Sequence, residues 1–555
     1  MKLSTCITKS LERNGVEYIF GISSGTCSSL WDSINDTNIK PITSKNEAGA
    51  LYAATNYADA SDKLGVSILA GAVGLNNAIN GIADAHRRKL PVLILSGYVN
   101  THQIGKGAIQ ELNTENIVKP ITKYSKTITN PNDVLNDIKN AIEIALTPPY
   151  GPVHISIPID VQMSPVSDAV FNEFIQSSNV SRLHLSNIAS SNYTKSTLLK
   201  AVNLINSSQT GLILVGRGCT HVGDQAMLLS EKLGWPIITT PQGKGIIPTS
   251  FKYNLGSYGF SGSDLAVNYI ENESIDCVLI LGTSLGESAT RNYNDVLIKG
   301  RKVIHIDWDK NELNKVFNVD LAIIYSLKEA LALLIRDCLE KDVVCSIDNS
   351  ILNAPYIEGG HTGLSTRLFL EKLPELLPEN HHLLSDIGEY MNFVIKYLPI
   401  GERSNFSISL NYGAMGVAVG GAIGTALANK DTTTAVIVGD GAFFMNGTEI
   451  LTAREYNIPI IYFVINNSML GYVEHGHKYI FGRPLVGLKQ KRVSIKDIAN
   501  SMGVKAVAVT NLEELDMHKQ LMKTMDGPLV VELITDGSES PAVADRFKSL
   551  INKKQ

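Results

Sequence analysis

The chain has 555 residues, of which 44% are hydrophobic and 19% charged, and its formal net charge is −5. This composition is typical of a globular protein of roughly three or four domains, and it excludes a disordered or fibrous chain. No clustered basic region favours nucleic-acid binding. The six cysteines are scattered and form no C-x-x-C pair, which argues against a disulfide framework or a zinc site. With no secretory signal and no apolar run long enough to span a bilayer, we expect a cytoplasmic protein without a membrane span.

In the first third of the chain, short β-branched runs alternate with helical segments. The predicted strands are residues 16–22, 66–70 and 92–96, and the predicted helices are residues 47–60 and 77–85. Such alternation predicts a doubly wound α/β sheet. The pattern stops near residue 165, and the Ser/Asn-rich residues 166–190 are expected to form a linker.

The same alternation recurs twice. The predicted strands of the second block are residues 211–215, 237–240, 277–281 and 302–306. Those of the third block are residues 382–385, 434–438, 460–466 and 529–533. Irregular residues 341–364 separate the two blocks. We therefore predict an α/β protein of three doubly wound parallel-sheet domains, over residues 1–165, 191–340 and 364–540.

The most informative motif follows two predicted strands of the third block. It reads Gly439-Asp440-Gly441-Ala442, and it is followed after an interval by Asn466-Asn467. The Asp440 carboxylate, the Asn467 amide oxygen and the Met469 backbone carbonyl are the hard oxygen ligands that Mg²⁺ prefers. Gly439 and Gly441 would let the backbone approach a diphosphate. The structural alternative is two ordinary turns, but the pairing at the ends of two strands favours a ligand site.

The pairing of Gly-Asp-Gly with Asn-Asn resembles the signature of the thiamine-diphosphate-dependent enzymes. Gly413-Ala414-Met415-Gly416 resembles their Gly-x-Met-Gly segment, although Met415 alone is equally typical of a core. The resemblance implies that Met415 wedges between the two coenzyme rings and that the Gly413 carbonyl accepts from the coenzyme amino group. The implied diphosphate and metal contacts are Gly388, Gly439, Asp440, Gly441, Ala442 and Asn467. Glu389 stands where relatives often have a neutral residue.

Glu47 opens a predicted helix, and taken alone it is a favourable acid at a helix N-terminus. The resemblance gives Glu47 a catalytic role: its carboxyl bonds the coenzyme pyrimidine and promotes loss of the thiazolium C2 proton, with the coenzyme as electron sink. Because Glu47 and Asp440 fall in different domains, which meet across a subunit interface in this family, the resemblance also implies a homodimer or homotetramer. The family's pyrimidine-binding, middle (transhydrogenase dIII-like) and diphosphate-binding domains would follow in that order.

Residues 107–111 indicate a branch of the family. They resemble the Gly-Ala-Phe-Gln-Glu loop of acetolactate (acetohydroxyacid) synthases, with Ile109 in place of Phe. The resemblance implies that Gln110 reaches the coenzyme site of the neighbouring subunit. It also implies an enzyme that decarboxylates a 2-keto acid, with pyruvate expected, and transfers the acyl carbanion to a second carbonyl. The first domain lacks the adjacent His-His of pyruvate decarboxylases, which favours carboligation over aldehyde release.

The segment after Asn467 bears on the acceptor. Gly476 stands at about the position of a tryptophan that shapes the acceptor pocket in acetolactate synthases. An open pocket would admit a bulky ketone or keto sugar, oriented by the candidate substrate residues Tyr472, Glu474, His475 and His477. The alternative for these polar residues is an ordinary surface loop.

The sequence leaves FAD binding open. The acetolactate branch binds FAD through an Arg-Phe-Asp-Asp-Arg stretch, but residues 282–288 here lack both arginines, and Arg217 or Arg291 would have to substitute. Three other functions stay open: a non-ligating 2-keto-acid decarboxylase, a catalytically silent scaffold homologue and a nicotinamide-binding protein. The retained Glu47, Asp440 and Asn467 argue against the second, and the missing G-x-G-x-x-G fingerprint argues against the third.

Overall fold

A computed structural model describes residues 1–177, 192–342, 363–487 and 490–539. It contains three six-stranded sheets in chain order, and all the strand pairs within them are parallel. Alternate residues of the same strand enter different hydrophobic cores; Phe20 packs in one and Ile19 in the other. Both faces of such a sheet are covered, which explains its continuous apolar strands. The predicted fold class is confirmed.

The first sheet has the strand order β2-β1-β3-β4-β6-β5. Its strands are β1 Tyr18–Gly21, β2 Lys40–Thr43, β3 Gly65–Leu69, β4 Val92–Tyr98, β5 Tyr124–Thr127 and β6 Val153–Pro158. The helices are α1 Leu3–Arg13, α2 Ser28–Ser33, α3 Glu47–Ser61, α4 Ala72–Asn77, α5 Ile79–Arg88, α6 Thr114–Val118, α7 Val134–Leu146, α8 Ile159–Gln162 and α9 Asp168–Ser177. Helix α9 falls within the expected linker, and it buries Phe171 and Phe174 in the first-domain core.

The middle sheet has the order β12-β11-β10-β7-β8-β9. Its strands are β7 Gly211–Val215, β8 Ile237–Thr239, β9 Asn254–Ser257, β10 Cys277–Leu281, β11 Lys302–Asp307 and β12 Leu321–Ile324. Its helices are α10 Asn192–Ser207, α11 Gly223–Leu233, α12 Asp264–Asn272 and α13 Leu327–Asp337. Most of the second expected linker lies outside the described residues.

The third sheet has the order β14-β13-β15-β16-β18-β17. Its strands are β13 His381–Ser385, β14 Ser404–Ile408, β15 Thr433–Gly439, β16 Ile460–Asn466, β17 Lys505–Val509 and β18 Leu529–Ile534. Its helices are α14 Thr366–Leu376, α15 Tyr390–Tyr397, α16 Val417–Ala428, α17 Asp440–Asn446, α18 Glu449–Glu455, α19 Gly471–Phe481, α20 Ile495–Ser501, α21 Leu512–Met517 and α22 Lys519–Lys523. The strand order reverses between β13 and β15, and open α/β sheets place ligands at such switch points.

Helices α3 and α16 join the first domain to the third. They approach closely because small residues face one another: a Cβ on Gly420 would lie 3.1 Å from the Cα of Gly49, and a Cβ on Gly424 would lie 2.7 Å from the backbone nitrogen of Tyr57. This contact fixes α3, which begins at Glu47, against the helix that follows Met415. Within the described part of the chain, no helix is both long and apolar enough to cross a membrane.

Candidate active site

A cavity of about 180 Å³ opens at the carboxyl ends of β13, β15 and β16. Its lining includes every coenzyme and metal residue predicted in the third domain, and one predicted substrate residue. These are Gly388, Gly413, Met415, Gly439, Asp440, Gly441, Ala442, Asn467, Met469 and Tyr472. Residues that are up to 84 positions apart in the sequence thus share one wall because parallel strands end at the same edge of the sheet.

Asp440 is a buried carboxylate that lines this cavity. Its Oδ1 accepts the Gly441 N–H at 2.8 Å and its Oδ2 accepts the Ser468 N–H at 2.8 Å, so both oxygens are oriented by backbone. Burial raises the pKa of Asp440 to about 6. A carboxylate whose ionised form is disfavoured by burial is stabilised by a bound cation.

Asn467 and Met469 line the same cavity as Asp440. The Asn467 Oδ1 accepts the Met469 N–H at 3.2 Å, which closes the turn after β16. Among the described residues, no three His, Cys, Asp or Glu side chains are grouped as a metal site. A metal here would therefore bind one carboxylate, neutral oxygens, and oxygens of a ligand or water, which is the pattern of Mg²⁺ sites.

Asp386 does not line the cavity, but it holds together two segments that do, and the sequence analysis gave it no role. It is buried, and its carboxylate accepts the backbone N–H groups of Gly416 at 2.8 Å and Ala418 at 2.7 Å. Burial raises its pKa to about 6. These bonds tie the loop after β13 to the segment that carries Met415. The available signal was an aspartate directly after a strand, a residue type that commonly satisfies backbone N–H groups at the start of a helix.

The glycines of the cavity make room for neighbouring side chains. A Cβ on Gly388 or Gly439 would lie 2.5 or 2.7 Å from the ring of Tyr390. A Cβ on Gly441 would lie 2.8 Å from Leu470 and 3.6 Å from the Cε of Met415. Met415 therefore lies at the cavity wall and also packs against the core.

The four predicted substrate residues all belong to α19, but they do not all line the cavity. His475 Nδ1 pairs with a carboxylate oxygen of the buried Glu389, and burial raises the pKa of Glu389. Glu389 and Tyr472 line the cavity. Glu474 is buried and forms an ion pair with Lys478 at 3.4 Å, whereas His477 Nδ1 lies 2.8 Å from the carbonyl of Arg483. Neither Glu474 nor His477 is among the cavity-lining residues.

The two predicted catalytic residues of the first domain lie apart from this cavity. Glu47 begins α3, and its Oε2 accepts the Asn77 amide N–H at 3.0 Å. Gln110 is exposed and has a left-handed backbone with φ 67°, in a loop that closes around the carboxylate of Glu111. All residues that line the cavity belong to the third domain.

Comparison with known proteins matches each domain to a family model. The model described as the thiamine pyrophosphate enzyme N-terminal TPP binding domain matches residues 1–117, the central domain matches 198–334, and the C-terminal TPP binding domain matches 386–533. The acetolactate synthase large subunit of Lactococcus lactis is 30% identical over 547 residues, which cover 97% of this chain and 93% of that protein. The chain belongs to the thiamine pyrophosphate enzyme family.

Two further relatives place this thiamine pyrophosphate enzyme in the acetolactate synthase-like branch. The probable acetolactate synthase large subunit of Methanocaldococcus jannaschii is 28% identical over 572 residues, covering 97% of this chain and 93% of that protein. The isozyme 1 large subunit of Escherichia coli is 25% identical over 545 residues, covering 95% and 93%. The predicted enzyme class and its coenzyme, thiamine diphosphate, are thereby confirmed.

A second cavity, of about 420 Å³, lies between the first and middle domains of the enzyme. Arg217 lines it, but its guanidinium pairs with Asp59 and donates to the carbonyl of Arg88 at 2.9 Å. Arg291 pairs with Glu271 at 2.8 Å and is not among the lining residues. Both arginines that would have to substitute in FAD binding thus have protein partners.

Buried charges connect the three domains near this second cavity. The Arg88 guanidinium is almost fully buried and pairs with Asp59 and with Asp84, at 3.3 Å from the latter. The Ser409 hydroxyl of the third domain donates to Asp84. Although burial opposes it, the guanidinium groups of Arg217 and Arg88 hold the pKa of Asp59 well below its usual value.

Proposed function

We propose that this enzyme decarboxylates a 2-keto acid, with pyruvate as the donor, and transfers the acyl carbanion to the carbonyl carbon of a second substrate. The curated relatives that span nearly the whole chain are named acetolactate synthase large subunits. The single observation that supports the proposal most is the third-domain cavity, where all the residues expected to contact diphosphate and metal meet around Asp440.

Mg²⁺ would be held by the Asp440 carboxylate, the Asn467 amide oxygen and the Met469 carbonyl. Thiamine diphosphate, when bound, supplies the electron sink for the carbanion. Met415 and Leu470 lie beside Gly441 and form an apolar part of the cavity wall. A low-dielectric wall strengthens the electrostatic contacts that the polar residues make.

The site requires a second copy of the chain. Glu47 and Gln110 lie outside the cavity of their own chain, so we assign them to the cavity of a partner in a homodimer or homotetramer. Apolar side chains are exposed both near Glu47 and near Asp440, and they support this assignment. Val73, on the helix next to Glu47, is 55% exposed, and Met445, on the helix that begins at Asp440, is 59% exposed. Apolar side chains exposed beside polar site residues are typical of an interface.

The acceptor in this proposal is a bulky ketone or keto sugar. Gly476 stands at about the position where acetolactate synthases carry an indole; it is buried on α19 and is not among the lining residues of the cavity, whereas Tyr472 is. His475 is not a lining residue itself, but it pairs with Glu389, which lines the cavity. We propose that Tyr472 and His475 orient the acceptor carbonyl.

Product analysis tests the proposal. The purified enzyme, with thiamine diphosphate and Mg²⁺, is given pyruvate alone and pyruvate with a panel of ketones, aldehydes and keto sugars. A hydroxyketone that forms faster with an added ketone or keto sugar than acetolactate forms from pyruvate alone supports both parts of the proposal. If acetolactate from pyruvate alone forms as fast as any other product, the acceptor assignment is wrong. If only free aldehyde accumulates, the enzyme is a non-ligating decarboxylase.

No step of the proposed reaction involves FAD. The two arginines considered for it are engaged with Asp59 and Glu271. A flavin band in the visible absorbance of the purified protein would show that FAD binds through other residues.

A further inference from the structure

Glu47 lies against helix α4, which provides a wall for its carboxyl group. The Asn77 side-chain amide donates to Oε2 at 3.0 Å. On the other side, a Cβ on Gly74 would lie 3.1 Å from Oε1 and 3.5 Å from Cγ. Gly74 therefore gives the carboxyl room to lie flat on the helix, and Asn77 bonds one of its two oxygens.

The backbone of Glu47 is fixed from a different direction. The buried Glu449 carboxylate accepts the N–H groups of Lys45 and Asn46, each at 2.9 Å, and the Asn46 side chain accepts the Ala48 N–H at 2.8 Å. The start of α3 is thus held by the third domain. With the backbone fixed, the remaining freedom of Glu47 is rotation of its own side chain, and Asn77 is the residue that bonds that end.

We propose that Asn77 is a positioning residue that selects which oxygen of Glu47 carries the proton shared with the coenzyme. This inference rests on the proposed role of Glu47. The Asn77 N–H stabilises negative charge on Oε2 and so lowers the proton affinity of that oxygen, which directs the proton to Oε1. The same bond fixes the carboxyl plane. Both effects favour proton exchange between Glu47 and a ring nitrogen that approaches Oε1.

Asn76 provides a matched control because it is an adjacent, equally exposed asparagine, and within the described residues its side chain makes no hydrogen bond to Glu47. The test compares Asn77→Ala, Asn77→Asp and Asn76→Ala in the full enzyme with thiamine diphosphate and Mg²⁺. Asn77→Asp keeps the shape of the side chain and replaces the donor by an acceptor. Because the shape is kept, we expect this variant to fold even if the alanine variant does not. The readouts are kcat, the KM for pyruvate, the coenzyme dissociation constant and the rate of hydrogen–deuterium exchange at C2 of the bound coenzyme.

Loss of the bond should slow proton exchange without weakening binding. We expect kcat and the C2 exchange rate of Asn77→Ala to fall together, by about 10- to 100-fold, while KM and the coenzyme dissociation constant change by less than about threefold. Asn77→Asp should lose at least as much because its carboxylate repels that of Glu47. Asn76→Ala should match the wild type.

The outcomes separate this inference from the proposed function. If Asn77→Ala, or a folded Asn77→Asp, exchanges C2 hydrogen as fast as Asn76→Ala does while Glu47→Gln is inactive, the role of Asn77 is overturned and that of Glu47 stands. If Glu47→Gln keeps wild-type activity, the role of Glu47 and the inference that rests on it both fail, whereas the proposed function itself fails if the wild-type enzyme forms no carboligation product. If Asn77→Ala changes only the coenzyme dissociation constant, Asn77 contributes to binding and the positioning role is wrong.

Discussion

The contact between α3 and α16 is the tightest link between the first and third domains, and Gly424→Ala perturbs it by one methyl group. The added Cβ would lie 2.7 Å from the backbone nitrogen of Tyr57 and closer still to the backbone carbonyl of Ala53. An ordinary contact begins at 3.4 Å, so clearing the Tyr57 nitrogen alone requires the helices to separate by about 0.7 Å, and clearing the nearer Ala53 carbonyl requires more. Both opposing groups are backbone, so no side chain can rotate away.

The expected cost follows from two opposing effects. Overpacking of a dense core costs about 1–3 kcal/mol, and the rigid backbone partners place this site at the upper end of that range. Alanine in place of glycine inside a helix stabilises the helix by about 1 kcal/mol. We expect a net destabilisation of about 2 kcal/mol, which corresponds to a fall of about 4–8 °C in Tm for a domain of this size. Because α3 begins at Glu47, a shift of this helix also displaces Glu47, so we expect catalytic activity to be lost under conditions where the protein is still folded.

Thermal denaturation and a decarboxylation assay measure the two effects. The control is Gly527→Ala, at a glycine with no neighbouring atom within 4 Å of the added Cβ, where stability should change by less than about 0.5 kcal/mol. Equal Tm and equal activity for the Gly424 and Gly527 variants would refute the argument that close backbone contact at α16 holds the two domains together.

Three further changes test the charged groups. Asp440→Ala should raise the Mg²⁺ dissociation constant in the presence of thiamine diphosphate by more than about a hundredfold, measured by calorimetry, and unchanged affinity would contradict the metal assignment. Asp59→Asn should destabilise the fold by about 3 kcal/mol at pH 7 because it breaks a buried ion pair. The pKa of Asp59 is depressed in the folded protein, so this stabilisation is fully present above the unfolded pKa of 3.8 and is lost as the pH falls from there through the folded pKa. The difference in urea midpoint between the wild type and Asp59→Asn should therefore shrink in acid, and a difference that stays constant would contradict the assignment. His475→Gln should weaken coenzyme binding about tenfold because Glu389 then stays buried without its imidazole partner. Adding Glu389→Gln to that variant should restore binding. If the double variant still binds weakly, the two residues are not coupled.

The sequence predicted the central strands well because they are continuous apolar runs. The predicted residues 211–215, 277–281 and 460–466 are strands β7, β10 and β16. The edge strands were not predicted: β5 and β17 are only partly buried, and their sequences lack a distinct apolar run. Edge strands present one face and one edge to solvent, so local pattern identifies them poorly.

The same division applies to the candidate site. The residues around Asp440 were predicted because glycine, aspartate and asparagine at strand ends form a local motif. The contacts of Asp386 with Gly416 and of Glu449 with the start of α3 join distant segments; a local pattern can indicate a carboxylate that accepts backbone N–H groups, but not which distant segment it holds. Tyr472 lines the cavity whereas Glu474 and His477 do not. This difference depends on how α19 is oriented on the sheet, which its sequence does not determine. The oligomeric state, Mg²⁺ and the cytoplasmic location stay predictions, and FAD binding stays open.

The central claim is that each active site combines Glu47 of one chain with Asp440 of another. Mixing the inactive variants Glu47→Gln and Asp440→Ala under conditions of subunit exchange tests it most directly. In a mixed dimer, one site receives both native residues, so random exchange should restore about a quarter of wild-type activity. Asp440→Ala mixed with the double variant should stay inactive. No recovery after exchange, shown by copurification of differently tagged chains, would contradict the shared site.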